Sequence, residues 1–208
     1  MKIAIVKYNA GNVQSVLFAL ERLGVKAVWT DDPDELRSAD RVIFPGVGEA
    51  SSAMRYLRER GLDEVIRSMQ QPVLGICLGL QLFCRHSEEN DTTCLGIFDT
   101  DVRLFPSHLV SPASPLTPHP SLLKVPHIGW NNLSHLRGAL FEGVAEESFV
   151  YFVHSYYAEI SPTTVAATNY GVDFSAALQR DNFYAVQFHP EKSGLVGQQI
   201  LRNFLKIK

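Results

Sequence analysis

The chain has 208 residues, a formal net charge of −3 and 46% hydrophobic residues. This length is enough for one domain with its own core, and we expect residues 1–208 to form a single domain. The charge balance gives no basic surface for nucleic acid, and no apolar run is long enough to cross a bilayer.

The three cysteines, Cys77, Cys84 and Cys94, include no CxxC pair. A small, odd number without regular spacing indicates a reducing compartment, so we expect a cytoplasmic protein. Because the sequence also lacks the ligand spacing of a metal site, we expect no metal.

Short apolar segments alternate with helical patterns along the first half of the chain. The predicted strands are residues 3–6, 25–29, 41–44 and 73–76, and the predicted helices are 13–23, 34–39, 50–57, 62–69 and a segment from Cys77 to about Arg85. Strands and helices that alternate at this spacing indicate βαβ units and a parallel sheet.

The second half of the chain has a different pattern. Its predicted strands are residues 97–104, 149–153, 165–168, 175–178 and 183–188, and residues 196–207 form a closing amphipathic helix. Residues 106–126 hold six of the eleven prolines, which is typical of a surface loop without regular elements. We therefore expect an α/β three-layer sandwich around a mainly parallel sheet with an antiparallel extension.

Cys77 lies between two glycines, in Gly75-Ile76-Cys77-Leu78-Gly79, directly after a predicted strand. This pattern predicts a nucleophile elbow, a sharp strand-to-helix turn that presents its central side chain. The helix N-terminus would favour a thiolate, and the amide of Leu78 would point towards an oxyanion. The alternative is a tight buried turn, since free cysteines are commonly buried and inert.

A cysteine nucleophile needs a base, and seven histidines are available. His189 is the best candidate because it follows an apolar strand, and the ends of strands in parallel sheets are where sites form. In an extended segment His189 and Glu191 share a face, so the carboxylate can orient the imidazole. By itself this pair favours the alternative, a loop histidine beside a solvated glutamate. His127 and His154 also have interesting neighbours.

The elbow and the Phe-His-Pro-Glu segment that contains His189 together resemble a class I (triad) glutamine amidotransferase. Four further segments narrow the resemblance: Pro45-Gly46-Val47-Gly48, Pro126-His127-Ile128-Gly129-Trp130-Asn131, Tyr151-Phe152-Val153-His154-Ser155-Tyr156 and Phe188-His189-Pro190-Glu191-Lys192-Ser193. They run in order along the whole chain and are similar to the glutaminase subunit of imidazole glycerol-phosphate synthase, an enzyme of histidine biosynthesis.

The resemblance implies a catalytic role for five residues. Cys77 would be the nucleophile, His189 the base and acid, and Glu191 the residue that orients His189. The backbone amides of Val47 and Leu78 would form the oxyanion hole. The implied reaction is hydrolysis of glutamine through a thioester, without a cofactor.

The resemblance also implies a set of substrate-binding residues, which are Gly46, Gly48, Gln81, Glu89, Ser155 and Tyr156. Among them Gln81 would hold the substrate glutamine, Glu89 would bind its ammonium group, and Ser155 with Tyr156 would meet its carboxylate. The alternatives are an ordinary helix residue at Gln81, a solvated charge at Glu89 and a simple strand end at Ser155.

The implied partner is a (βα)8-barrel cyclase subunit, which would use the released ammonia to make imidazole glycerol phosphate and AICAR. Asn12, Trp130, Asn131 and Lys192 match the face that contacts this partner. The glycines beside Val47 make a peptide flip inexpensive, so we expect low activity alone and higher activity with the cyclase and its ligand.

Two features depart from the family pattern. Residues 106–123 form a longer and more proline-rich segment than we expect, and Glu49 stands where we expect a small residue. Two other functions remain possible: another glutaminase on the same scaffold, such as that of pyridoxal phosphate synthase or a γ-glutamyl hydrolase, or a non-catalytic interaction protein. The Pro-His-Ile-Gly-Trp-Asn segment argues against the first, and the intact Cys77, His189 and Glu191 set argues against the second.

Overall fold

The structure is a computed structural model that describes residues 1–9, 13–107, 110–111 and 121–207. The helices are α1 (Gln14–Arg22), α2 (Pro33–Arg37), α3 (Ala50–Glu59), α4 (Leu62–Arg67), α5 (Leu78–Phe83) and α6 (Gly194–Phe204), with 3-10 turns at Ala139–Phe141 and Pro190–Lys192. The first eight strands are β1 (Ile3–Val6), β2 (Ala27–Thr30), β3 (Arg41–Phe44), β4 (Val73–Ile76), β5 (His86–Ser87), β6 (Thr92–Thr93), β7 (Asp101–Leu104) and β8 (Val110–Ser111). The remaining strands are β9 (Ser121–Leu122), β10 (His127–Asn132), β11 (Phe149–His154), β12 (Tyr156–Ala158), β13 (Thr164–Asn169), β14 (Asp173–Arg180) and β15 (Phe183–Val186).

The main sheet of the described chain has seven strands in the order β13-β14-β15-β4-β3-β1-β2. The strands from β15 to β2 are parallel, whereas β14 pairs antiparallel with β15 and β13 pairs antiparallel with β14. This arrangement confirms the predicted parallel sheet with an antiparallel extension.

The two faces of this sheet carry separate hydrophobic cores. On β1, Ala4 and Val6 pack with α2 to α5, while Ile3 and Ile5 pack with α1 and α6. Because successive strand residues point to opposite faces, a four-residue apolar strand can serve both cores. The predicted three layers are therefore present.

Local signals in the sequence explain where the helices lie. Val16 and Leu20 of α1 are buried at helical spacing, and Gly24, at φ +75°, ends the helix in a left-handed conformation. The Asp32 carboxylate caps α2 by accepting the amide of Asp34 at 2.8 Å.

The largest difference from the sequence prediction is a two-stranded ribbon formed by β10 and β11. Residues 127–132 lack the apolar alternation of a strand, and β10 exists because every one of its residues pairs with β11. The prediction that residues 106–126 hold no element is wrong, because β8 and β9 form a short antiparallel pair there. Most of this segment, residues 108–109 and 112–120, lies outside the described residues.

Candidate active site

The carboxyl ends of β3, β4 and β15 meet at one edge of the main sheet. Residues 45–48 follow β3, Cys77 follows β4, and His189 lies just beyond β15. Since these three strands are neighbours in the sheet, segments more than a hundred residues apart in sequence come together.

Cys77 lies at a strained turn between β4 and α5. Its φ of 54° and ψ of −106° are unusual for a residue with a side chain. Its amide donates to the Val186 carbonyl at 2.8 Å, which joins the turn to β15. The side chain is only 6% exposed, with its sulfur 3.8 Å from the Val153 carbonyl oxygen.

Close packing explains the glycines around this turn. A Cβ on Gly79 would lie 2.2 Å from the Phe44 carbonyl oxygen, and one on Gly46 would lie 2.5 Å from the Cβ of Leu78. A Cβ on Gly75 would approach the backbone of Gly79 to 2.9 Å. The strand and helix can therefore approach this closely only where side chains are missing.

His189 and Glu191 form a buried pair beside this turn. The Nδ1 atom of His189 lies 2.7 Å from Oε1 of Glu191, and the two side chains are 3% and 4% exposed. Among the described residues neither Nε2 of His189 nor Oε2 of Glu191 has a hydrogen-bond partner. The carboxylate thus fixes one ring nitrogen and leaves the other free to exchange a proton.

The charge of His189 depends on its two neighbours. Burial alone disfavours the charged imidazole, but the Cys77 sulfur and the Glu191 carboxylate outweigh it and raise the pKa of His189 to about 10. The arrangement therefore stabilises an imidazolium next to a sulfur, which is the charge state that an activated cysteine needs.

Two buried hydroxyl groups position this site, and the sequence analysis assigned neither of them. Ser193 donates to the His189 carbonyl at 2.6 Å and accepts the amide of Tyr151 at 3.0 Å, so it joins the histidine to β11. Tyr8 donates to the Pro45 carbonyl at 2.6 Å and holds the start of the segment that follows β3. The position of Ser193 directly after Lys192, inside the quoted motif, was a usable signal.

Val47 and Leu78, the residues predicted to supply the oxyanion donors, line one cavity together with Cys77. The amide of Leu78 donates to the Gly46 carbonyl at 3.4 Å, so the peptide between Gly46 and Val47 points its oxygen at this donor. Gly48 has a φ of +131°, which a residue with a side chain rarely adopts. Glu49 points elsewhere, because its carboxylate accepts the Ser51 hydroxyl at 2.9 Å.

A cavity of about 290 Å³ opens next to Cys77. Its lining contains most of the predicted substrate residues, namely Gly48, Gln81, Glu89, Ser155 and Tyr156, together with Val47 and Leu78. Gly46 is the exception, since it packs behind Leu78 and Tyr8 instead of facing this space.

Glu89 is the acidic residue in the lining of this cavity. One of its carboxylate oxygens accepts the Ala50 amide, the first of α3, at 2.6 Å. Burial raises the pKa of Glu89, the Ala50 amide opposes this shift, and the nearby Glu49 adds to it. Oε1 of this half-buried carboxylate makes no hydrogen bond within the described part of the chain.

The predicted partner residues lie outside the cavity. Trp130 is 55% exposed on the ribbon and packs against Tyr151, and the Lys192 ammonium lies 6.0 Å from the centre of the Tyr151 ring. The Asn131 amide donates to the Asn169 carbonyl at 3.0 Å. Asn12 lies outside the described residues.

A pair of buried histidines, His127 and His154, lies where the ribbon meets the cavity. Nδ1 of His127 is 3.1 Å from Nε2 of His154, and Nδ1 of His154 is 2.7 Å from the Tyr156 carbonyl oxygen. Burial lowers the pKa of His127 to about 4 and that of His154 to about 3. Both rings are therefore neutral near pH 7.

The described residues contain neither a cluster of metal ligands nor a helix that could span a membrane. No group of three or more histidine, cysteine or acidic side chains there is arranged to hold a metal ion. No helix in those ranges combines the length and the apolar character that a membrane span requires.

Comparison with known proteins identifies the family of this chain. The family model described as "Glutamine amidotransferase class-I" matches residues 4–207. Imidazole glycerol phosphate synthase subunit HisH of Bacteroides fragilis is 56% identical over 207 residues, covering 100% of both chains, as is that of Bacteroides thetaiotaomicron. The HisH subunit of Shewanella loihica is 44% identical over 98% of this chain and 89% of its own.

Solved structures share the fold at lower identity. A glutamine amidotransferase aligns with a TM-score of 0.71 at 19% identity, over 98% of this chain and 97% of its own. PurLQS from Thermotoga maritima aligns with a TM-score of 0.68 at 17% identity, over the same shares. The chain belongs to the class I glutamine amidotransferases and, within them, to the HisH subunits of imidazole glycerol phosphate synthase.

Proposed function

We propose that this chain hydrolyses glutamine with Cys77 as nucleophile, His189 as acid and base, and Glu191 as the residue that orients His189. The main support is one juxtaposition. Cys77, at a turn with positive φ, lies beside the buried imidazole of His189, whose Nδ1 atom is hydrogen-bonded to the Glu191 carboxylate. A buried inert cysteine would need neither the strained turn nor the paired imidazole.

The mechanism uses the free Nε2 atom of His189 for every proton transfer. It takes the Cys77 proton, and the sulfur attacks the side-chain amide carbon of glutamine. The imidazolium then protonates the leaving nitrogen, the C–N bond breaks, and ammonia departs from a thioester. Water then gives a proton to Nε2 of His189 and adds to the thioester carbon. The C–S bond breaks with its electron pair on sulfur, which releases glutamate.

The oxyanion hole requires one rearrangement. The Gly46 carbonyl now accepts the Leu78 amide, and a trans peptide directs the amide of Val47 to the opposite side. A flip of this peptide would replace the Gly46 carbonyl by the Val47 amide, which is a second donor to the oxyanion. One such donor stabilises the transition state by about 3–4 kcal/mol in acyl-transfer enzymes. This geometry supports low activity in the free chain and higher activity once a partner stabilises the flipped peptide.

The cavity beside Cys77 suits a small amino acid. The Glu89 carboxylate lines the same cavity as Cys77 and is assigned to the ammonium group of glutamine. Ser155 and Tyr156 line the wall between β11 and β12 and are assigned to the substrate carboxylate. Gln81 lies one helical turn after Cys77 and faces the same space.

The partner would be a (βα)8-barrel cyclase that receives the ammonia and forms imidazole glycerol phosphate and AICAR. The exposed face of the ribbon supports this proposal, because Ile128, Trp130 and Phe149 expose more than half of their surface there. Large apolar groups on one face, with Lys192 at its edge, are typical of a protein interface. Asn131 and Asn12 are assigned to the same contact from the sequence.

The test is an assay of the reconstituted heterodimer that separates the glutamine-dependent from the ammonia-dependent reaction. Cys77→Ala removes the nucleophile, so glutamate release should fall by about 10⁴-fold or more, while synthesis from added ammonium salt continues. Wild-type glutaminase should be faster with the liganded cyclase than alone. Glutamine-dependent synthesis by the variant would overturn the role of Cys77, and equal rates with and without cyclase would overturn the peptide switch.

A further inference from the structure

Gln187 is a fully buried polar residue for which the reaction above gives no role. It lies between the end of β15 and His189, and its carboxamide contacts two residues of the site. Its Oε1 atom is 3.1 Å from Nε2 of Gln81, and its Nε2 atom is 3.6 Å from the sulfur of Cys77. Gln187 is completely buried, and Gln81 and Cys77 are only 5% and 6% exposed.

The orientation of the Gln187 amide follows from its neighbours. Nε2 of Gln81 also donates to the Tyr156 carbonyl at 2.9 Å, and a carbonyl can only accept. If the Gln81 amide were reversed, its oxygen would face the carbonyl oxygen of Tyr156. Gln81 must therefore present its NH₂ group to Gln187, which in turn must present its own NH₂ group to the sulfur.

The Tyr156 carbonyl also takes part in a hydrogen bond with the histidine pair. Nδ1–H of His154 donates to Tyr156, so Nε2 of this neutral ring accepts Nδ1–H of His127. A continuous chain of hydrogen bonds thus runs from the ribbon, through Tyr156 and Gln81, to Gln187. The neighbours in this chain therefore fix which atom of each side chain donates and which accepts.

We infer that Gln187 is a further catalytic residue of this chain, which donates an N–H group to the Cys77 sulfur and stabilises the thiolate, with Gln81 and the Tyr156 carbonyl holding it in that orientation. The inference rests on the proposed function for its catalytic meaning. An N–H donor stabilises a negative sulfur more than a neutral thiol or a thioester. It therefore assists formation of the thiolate before attack and its departure when the thioester is hydrolysed.

The experiment measures the thiolate directly and needs neither glutamine nor the cyclase. The full chain is alkylated with iodoacetamide over a range of pH, and the rate at Cys77 is read by fragment-ion mass spectrometry. Fragment ions are needed because Cys77 and Cys84 fall in one tryptic peptide, between Arg67 and Arg85.

Gln187→Leu removes the donor at similar volume. We expect the midpoint of its alkylation profile to move to higher pH by about one unit, since a hydrogen bond to a charged group has this magnitude. Gln71→Leu is the matched control: Gln71 donates to the Leu36 carbonyl at 2.9 Å, before β4 and away from the cavity, and its profile should match wild type. Gln187→Met provides a second donor-free variant should the leucine variant fail to fold.

The outcomes separate this inference from the proposed function. A folded Gln187→Leu or Gln187→Met chain with the wild-type midpoint would overturn the role of Gln187, even if glutamine is hydrolysed. A shifted midpoint supports it. Should wild-type heterodimer release no glutamate while the midpoint still shifts, the proposed function fails and only the donor to sulfur stands.

Discussion

The catalytic edge of the main sheet and the β10–β11 ribbon each bury histidine, with opposite results. His189 is buried beside a carboxylate and a sulfur, which raise its pKa to about 10 against the effect of burial. His127 and His154 are buried among aromatic rings, with no acidic partner in the described residues, and burial lowers the pKa of both. Burial by itself therefore does not set the charge of a histidine, since the adjacent groups decide it.

The two regions also differ in how their backbones are held. The turn at Cys77 is held by close packing, because its glycines lie against backbone atoms of neighbouring segments. Among the described strands, β10 and β11 pair only with each other, and their ribbon exposes Trp130. Tyr151 links the two regions, because its carbonyl accepts the His189 amide at 2.9 Å. The closely packed turn at Cys77 can hold reactive groups in fixed positions, and the exposed face of the ribbon is available for contact with a partner.

The largest expected effect comes from disrupting the close packing at the Cys77 turn. Gly79→Ala places a methyl group 2.2 Å from the Phe44 carbonyl oxygen. We expect the free energy of unfolding to fall by about 3 kcal/mol, measured in a denaturant titration, and glutaminase activity to be lost.

The control for this change is Gly24→Ala. Gly24 is left-handed, but a Cβ there would meet nothing within 4 Å. Only the backbone strain remains, about 1 kcal/mol. If the free energy of unfolding falls equally in the two variants, close packing does not stabilise the Cys77 turn.

A smaller effect should follow from removing the exposed ring of the ribbon. Trp130→Ala should weaken binding of the cyclase by about 30-fold, or about 2 kcal/mol, because an exposed aromatic residue is a common interface anchor. Stability should hardly change, since the ring is 55% exposed. Titration calorimetry of the two subunits measures the affinity.

Trp29→Ala is the matched control. This ring is 46% exposed on β2, the strand at the far end of the main sheet from β13. Its removal should leave the affinity unchanged. An equal loss for both tryptophans would mean that the ribbon is not the contact surface.

The smallest effect concerns the two kinds of buried histidine. Folding lowers the pKa of His127 and His154, so their contribution to stability is present above about pH 6.5 and is lost as the pH falls towards 4. Folding raises the pKa of His189, so its contribution is present below about pH 6.5 and is lost as the pH rises towards 10.

His154→Asn should separate these contributions, because asparagine can keep a donor to Tyr156 but does not titrate. Between pH 6 and 5, unfolding of the variant should take up about one proton fewer, which lowers the slope of unfolding free energy by about 1 kcal/mol per pH unit. Denaturant titrations at several pH values give this slope. Identical slopes for the variant and wild type would show that His154 is not held neutral.

The sequence by itself determined the main sheet and pointed to the proposed set of Cys77, His189 and Glu191. Apart from Arg41 at the start of β3, the four-residue strands ending at Val6, Phe44 and Ile76 carry no polar side chain, and buried parallel strands are recognisable for that reason. The glycines around Cys77 and the short spacing from His189 to Glu191 are local patterns, so one sequence is enough to find them.

Only the tertiary structure decided which groups meet these residues. Strand β10 forms because β11 supplies its hydrogen bonds, and its own residues carry no periodic signal. Gln187 was missed although it lies two residues before His189 on the same face, because a lone glutamine in a strand has no distinctive pattern. Its role depends on Cys77, 110 residues away, and only folding brings the amide and the sulfur within 3.6 Å.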